Sequence, residues 1–299
     1  MKYNIPPMEE LFSLDCFHCM LNQVIDTTEL VGTPETKRRE IMHKALEFLA
    51  NGDVSRNNCE QIEAVYRIVT REIGIEDPYR ETKLFYDRAL MEILPEVRKH
   101  IAVSADPLTA AIRASIAGNL IDLAALGAAV TLDRALDKVR QIDREPFAID
   151  DTEALRSALQ GARRALILGD NCGEIALDRA LVETIRALYP DVHVQYGVRG
   201  RACVNDVTRE DAEIVGMGEV AEVIDNGDGL LTTALPRTSS AFQDAFFAAD
   251  VVICKGMGNF EGLRKCGREN VFFLMIAKCR AVAQMSGAPL GGIVCKKIG

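Results

Sequence analysis

The sequence predicts an α/β protein, mainly helical up to about residue 150 and built on a largely parallel sheet beyond it. Two observations carry this. Before that point apolar residues recur every three or four positions. After about residue 160, short apolar runs alternate with helical stretches, and several runs end beside Gly or Asp.

In the first region, Thr33-Pro34 can open a helix, with Thr as N-cap and Pro in the first turn. Its apolar face is Ile41, Ala45, Leu46 and Leu49, and Asn51-Gly52 closes it. Cys59 to Ile73 repeats the pattern through Ile62, Val65, Tyr66 and Val69 until Asp77-Pro78 breaks it. Lys83 to Leu94 forms another segment, ending before Pro95. Asp106-Pro107 opens a long helix through Ile112, Ile116, Leu120 and Leu123, ending near Gly127.

In the second region the expected strands are Ala165–Leu168, Val192–Val198, Ala212–Val215, Ala221–Ile224, Val251–Cys254, Phe272–Ile276 and Ile293–Val294. A charged stretch around Gln141 to Thr152, containing Pro146, reads as a linker, which gives domains 1–150 and 151–299.

With 299 residues the chain can bury a sizeable core, and 48% apolar residues argue against disorder. A net charge of −9 and a pI near 5.1 argue against broad nucleic-acid binding but leave room for a local basic pocket. No apolar run reaches the roughly 18 to 20 residues of a membrane span. Met1 to Glu10 has no apolar core of the signal-peptide kind. Nine cysteines without the spacing of a disulfide scaffold fit a reducing cytoplasm. Oligomeric state is not legible.

Chemistry-bearing residues gather after the expected strands. Asp170-Asn171-Cys172-Gly173-Glu174 places oxygen donors at a strand end, where ligands of open α/β sheets bind and where a hard divalent cation would be suited. Asp170 can equally cap the next helix. Arg199-Gly200-Arg201 precedes Asn205-Asp206-Val207-Thr208 and Asp211. Here Asp206 offers another oxygen ligand, and a guanidinium matches phosphate or carboxylate. Lys255-Gly256-Met257-Gly258-Asn259-Phe260-Glu261 combines a glycine turn, an anion site at a helix start and a lysine. Glu261 stands where a dinucleotide fingerprint needs its third glycine. Lys278, after the Phe272–Ile276 run, can neutralise phosphoryl oxygens or simply be solvated. In the helical region Asn119 and Asp122 share a helix face and could reach into a cleft. Cys16-Phe17-His18-Cys19 could hold an accessory soft metal, do redox chemistry or be packed thiols.

Taken together these motifs resemble the domain-of-unknown-function 89 family, the damage-control phosphatases. The matching pieces are Asp170-Asn171-x-Gly173-Glu174, Asn205-Asp206-x-Thr208-x-x-Asp211-Ala212, Lys255-Gly256-x-Gly258-Asn259-Phe260-Glu261 and Lys278-Cys279. Asp77-Pro78-Tyr79, Asp106-Pro107-Leu108 and Gly118-Asn119-x-x-Asp122 match as well. Cys16-x-x-Cys19 looks like the prokaryotic and archaeal branch. The resemblance implies a helical N-terminal domain packed on a three-layer α/β/α domain, and a divalent-metal-dependent phosphatase of small phosphometabolites. Sugar phosphates and phosphopantetheine-like compounds are the implied substrates. It implies Asp170, Asn171 and Asp206 as ligands of one metal ion (manganese, cobalt, nickel or magnesium). Lys255, Lys278 and Asn259 would then serve the phosphate, together with Arg199, Asn205, Gly256, Gly258 and Asn119. Glu174, Glu261 and Asp122 would support them. Water or Asp170 could be the nucleophile. Cys172, where the family has a small residue, could bring a thiol near the metal. A nucleotide-cofactor methyltransferase using S-adenosylmethionine, or a non-enzymatic metal or redox sensor, is the rival expectation.

Overall fold

The computed structural model describes residues 2–6, 13–52, 57–119 and 132–298. Helices α1 (Cys16–Leu30), α2 (Glu35–Asn51) and α3 (Asn58–Ile73) pack around Met20, Val24, Ile41, Ala45, Leu49, Val65 and Val69. The start of α2 lies one residue later than the Thr33 cap implied, because Pro34 takes the N-cap position. α3 is capped by Asn57, whose side chain accepts the Cys59 N–H at 2.8 Å, and stops at left-handed Gly74.

Pro95 does not end a helix: α4 runs from Arg80 to Val103 straight through it. An internal proline costs about 3 kcal/mol. The apolar face continues past it with buried Val97 and Ile101, and each such side chain returns about 1.5–3 kcal/mol. α5 (Pro107–Gly118) starts as expected, with Asp106 accepting the Thr109 N–H at 3.1 Å. The expected continuation through Leu120, Asp122 and Leu123 to Gly127 lies outside the described residues.

Next come α6 (Leu132–Arg144) and β1 (Phe147–Asp150), so the stretch read as a linker holds a helix end and a strand. The remaining elements are α7 (Thr152–Gln160), β2 (Arg164–Leu168), α8 (Glu174–Leu188), β3 (His193–Val198), α9 (Arg209–Ile214), β4 (Glu222–Asp225), α10 (Ser240–Ala248), β5 (Val251–Lys255), α11 (Gly256–Leu263), β6 (Val271–Ile276), α12 (Arg280–Ser286) and β7 (Ile293–Ile298). Ala212–Val215, expected as a strand, is the end of α9. Thr208 and Asp211 form a capping box at its start, and a four-residue apolar run cannot by itself tell strand from helix.

The strand order is β1-β7-β6-β5-β2-β3-β4, parallel except for the β6–β7 pair. Both faces are covered, giving three layers. Ile167, Tyr196, Ile253, Phe272 and Leu274 pack under α4, α5, α7 and α8. Leu166, Leu168, Val252, Cys254, Phe273 and Met275 pack under α10, α11 and α12. Burial on both faces is why these strands read as unbroken apolar runs. The chain leaves β2 toward β3 on one side and returns to β5 on the other, which makes the end of β2 a topological switch point.

α5 and α8 touch backbone to backbone at Gly118, where a Cβ would sit 2.9 Å from the Glu174 Cα. Gly118→Ala is therefore expected to destabilise the protein by about 1–3 kcal/mol, as overpacking generally does. Urea unfolding of the variant measures this, and an unchanged midpoint would contradict the close approach.

Candidate active site

Two loops meet at the switch point. The first leaves β2 at Leu168 and enters α8 at Glu174. Its Gly173 has φ 71°, in the left-handed region open to glycine. The second follows β3. Backbone bonds zip them together: Cys172 N–H to the Asn205 carbonyl at 2.8 Å, Val207 N–H to the Asp170 carbonyl at 2.9 Å, and a bridge pairing Asn171 with Asp206. Asp170 and Asp206 are thereby brought side by side, 8% and 2% exposed. Gly256, at the start of α11, has φ 74°, and a Cβ there would collide with the Asp170 carboxylate. Glycine is required by both the dihedral and the space.

From the helical half, Asn119 donates to Asp170 Oδ2 and to Glu174 Oε2, each at 2.9 Å. Asn171 donates to the same two oxygens at 2.7 and 3.3 Å. Burial, then the charges of Asp206 and Glu174, push the Asp170 carboxyl up to about 8, while Arg199 and Lys278 oppose the shift. Burial also raises Asp206, against the pull of Arg199.

Three residues expected at the phosphate are placed differently. Lys255 is fully buried. Its Nζ donates to Glu174, to Asp178 Oδ1 at 2.7 Å and to the Ser115 carbonyl at 3.0 Å. Burial works against its charge, but the Asp178 and Glu174 carboxylates outweigh this and hold the ammonium above its ordinary value. Arg199, 3% exposed, donates to Asp206 at 2.7 Å, Thr233 at 3.0 Å and Asn259 at 3.2 Å. Asn259 is buried, and its amide nitrogen bonds the carbonyls of Gly169 and Lys255 at 3.1 and 2.8 Å. These three side chains brace the loops from behind.

The remaining expected residues divide similarly. Lys278 is exposed and acts on the Asp170 charge. Asn205 contributes the carbonyl that zips the loops. Gly258 packs against the Leu231 carbonyl, where a Cβ would clash. Burial pushes the Glu261 carboxyl up to about 7, and its Oε2 is 4.0 Å from the Cys59 Sγ. Asp122 lies outside the described residues. The buried Cys172 thiol is raised by burial and then by Asp87 and Asp211. Cys16 and Cys19 are free thiols. Burial and the nearby Glu261 push Cys16 up to about 12, which leaves it a poor nucleophile at neutral pH. Among the described residues, no three His, Cys, Asp or Glu side chains are grouped so as to hold a metal.

Two carboxylates escaped the sequence reading. Asp178 joins Lys255, Ser115 and Tyr196, whose hydroxyl donates to it at 2.7 Å. Its only signal is an acid four residues after Glu174 on an otherwise apolar helix face. Asp87 on α4 accepts the Gly173 N–H at 2.5 Å, and burial and then Asp211 push it up to about 8. No motif marks it.

Lys255→Met would strand buried Glu174 and Asp178 and is expected to cost about 3–5 kcal/mol of stability. A variant of native stability with a raised KM would instead return Lys255 to the phosphate. A pH effect follows from Asp170 and Asp87, both pushed up to about 8. An acid raised in the fold keeps its proton where the unfolded chain has released it. Its stabilisation is complete below about pH 4, the ordinary Asp value, and is lost as pH rises through 8. The melting temperature of cation-free protein should fall from pH 5 to 8, and less steeply for Asp170→Asn. A flat wild-type profile would contradict this.

The profile of the Damage-control phosphatase ARMT1-like domain matches residues 12–294. A damage-control phosphatase of Archaeoglobus fulgidus is 30% identical over 285 residues, covering 95% of this chain and 98% of that protein. One from Pyrococcus horikoshii is 29% identical, covering 95% and 96%. The crystal structure of a domain-of-unknown-function 89 protein from Pyrococcus horikoshii superposes with a TM-score of 0.88 at 28% identity, over 95% of this chain and 98% of that one. With a match that spans nearly the whole sequence, and the paired acid-amide loops at the switch point, the chain belongs to the damage-control phosphatase ARMT1-like family, the domain-of-unknown-function 89 proteins.

Proposed function

We propose that the protein is a divalent-metal-dependent phosphatase of small phosphate monoesters, such as damaged or surplus sugar phosphates or phosphopantetheine-like compounds. The observation that carries this is the charge balance at the zipped loops. Four buried carboxylates, Asp170, Asp206, Glu174 and Asp178, stand with two buried cationic side chains, Lys255 and Arg199. With all four ionised, that is an excess of two negative charges at a strand-end site, which a divalent cation would offset, and the raised Asp170 carboxyl is the mark of that excess when no cation is bound. The family names point to a phosphatase.

Asp170, Asp206 and the Asn171 carboxamide oxygen would hold the cation, with water and substrate completing its shell, as is usual for magnesium. Oxygen donors suit magnesium or manganese. When bound, such an ion supplies Lewis-acid polarisation of a phosphoryl oxygen and acidifies water.

The chain's own groups do the rest. Asn119 and Asn171 fix the rotamer of Asp170 through two amide donors to one oxygen. Arg199 holds Asp206 in the same way. Glu174, pinned by Lys255, keeps the two amides turned toward Asp170. Lys278, the exposed cation on this edge, would meet the phosphate from the solvent side. The first-turn amides of α11 would add donors for its oxygens. The methyltransferase reading leaves the paired carboxylates without a task, and the sensor reading leaves Lys278 and the first-turn amides of α11 without one.

Purified protein loaded with magnesium or manganese should release phosphate from an aryl phosphate, and chelator should stop it. Asp170→Ala is expected to abolish the metal-stimulated activity, and Lys278→Ala to lower kcat by about 100- to 1000-fold, the usual effect of losing one preorganised donor. Unchanged turnover in metal-loaded Asp170→Ala protein would overturn the assignment.

A further inference from the structure

Arg199 and Arg201 stand at either side of one turn and face opposite ways. Arg199 is buried against Asp206, whereas Arg201 lines a separate cavity of about 510 Å³ between α3 and the loop after β3. Arg67 and Arg71 line the same cavity from α3, one helical turn apart, with Tyr66 and Thr70 beside them.

The acids nearby are largely spoken for. Glu63 is held by Arg67 at 2.5 Å and by Arg237 at 2.9 Å. Asp228 is held by Arg201 at 3.1 Å and by Arg237 at 2.8 Å. Arg71 has no ion pair or hydrogen bond among the described residues, and Glu76 is the other acid on the wall. In a chain of net charge −9 this is a local surplus of guanidinium. The side chain of Tyr66, 3% exposed, lies on the same wall with its buried hydroxyl against the Val204 backbone. Burial first, and Asp77 next, raise that phenol, so it adds no negative charge to the wall. Three arginines at one opening, one of them without a partner among the described residues, are a recognition set for an oxyanion. The carboxyl end of α3 opposes it, but a helix terminus carries only about half a charge, and Gly74 N–H already caps the Thr70 carbonyl at 2.9 Å.

We propose that this cavity is a second anion site, distinct from the Asp170–Asp206 centre, that takes a compact phosphate group through Arg67, Arg71 and Arg201. Its rear wall includes Cys203, whose carbonyl accepts the Asp206 N–H at 3.1 Å, so an occupant sits one turn from Asp206. The phosphate could be free or the second phosphate of a substrate.

The test is calorimetric titration of the full chain with inorganic phosphate after chelator treatment, so that no bound cation contributes. Saturable binding is expected. Arg71→Gln should weaken it about tenfold, which corresponds to about 1.4 kcal/mol, and Arg201→Gln should weaken it several-fold, with Asp228 still held by Arg237. No saturable binding, or wild-type affinity in both variants, would overturn the proposal. Kinetics then separate the two sources. If the group belongs to the substrate, Arg71→Gln raises KM for a sugar bisphosphate but not for an aryl phosphate; if it is free phosphate, neither KM moves. Because the titration needs no turnover, a failed phosphatase assay leaves this inference standing.

Discussion

A single ammonium group with no access to water ties the two halves of this protein together. Lys255 ends β5, and its Nζ reaches the Ser115 carbonyl on α5 and the Glu174 and Asp178 carboxylates on α8. Removing such a charge from water costs several kcal/mol, and the cost is recovered only when all its partners are in place. The sheet, α8 and α5 therefore have to assemble as one arrangement. The Gly118 contact shows how close that assembly is, since it admits no side chain between α5 and α8.

The same ion cluster shapes the site in front of it. Glu174 is pinned from behind by Lys255, and its outer oxygen then receives Asn119 and Asn171. Those two amides also hold Asp170, while Arg199, steadied by Asn259 and Thr233, holds Asp206. The carboxylates that could bind a cation are therefore rigid before anything binds, which is the condition under which fixed charges are most effective. What reads in sequence as a set of phosphate-binding cations is, for Lys255 and Arg199, a scaffold of buried counter-charges.

Much of the fold was legible because it depends on local pattern. Apolar runs such as Val251–Cys254 and Phe272–Ile276 are strands because both faces of the sheet are covered. Misreadings occurred where a local signal met a stronger tertiary one or was too short to decide. Pro95 is overridden by the buried face of α4 on its far side, and Ala212–Val215 is apolar but helical because Thr208 and Asp211 cap it. The charged stretch before Thr152 concealed β1, a half-buried strand whose pairing partner, β7, lies more than a hundred residues further on, at Ile293–Ile298.

Which residues carry chemistry, and the strand ends on which they lie, follow from residue type and spacing: carboxylates and amides after short apolar runs can be recognised without coordinates. Their roles cannot. Asp178 and Asp87 enter the site from positions that carry no motif, and Lys255 turns inward while Lys278 stays exposed. A lysine's task is set by which way its side chain leaves the strand end and what it meets there. That depends on contacts between segments far apart in the chain, and no local pattern encodes them.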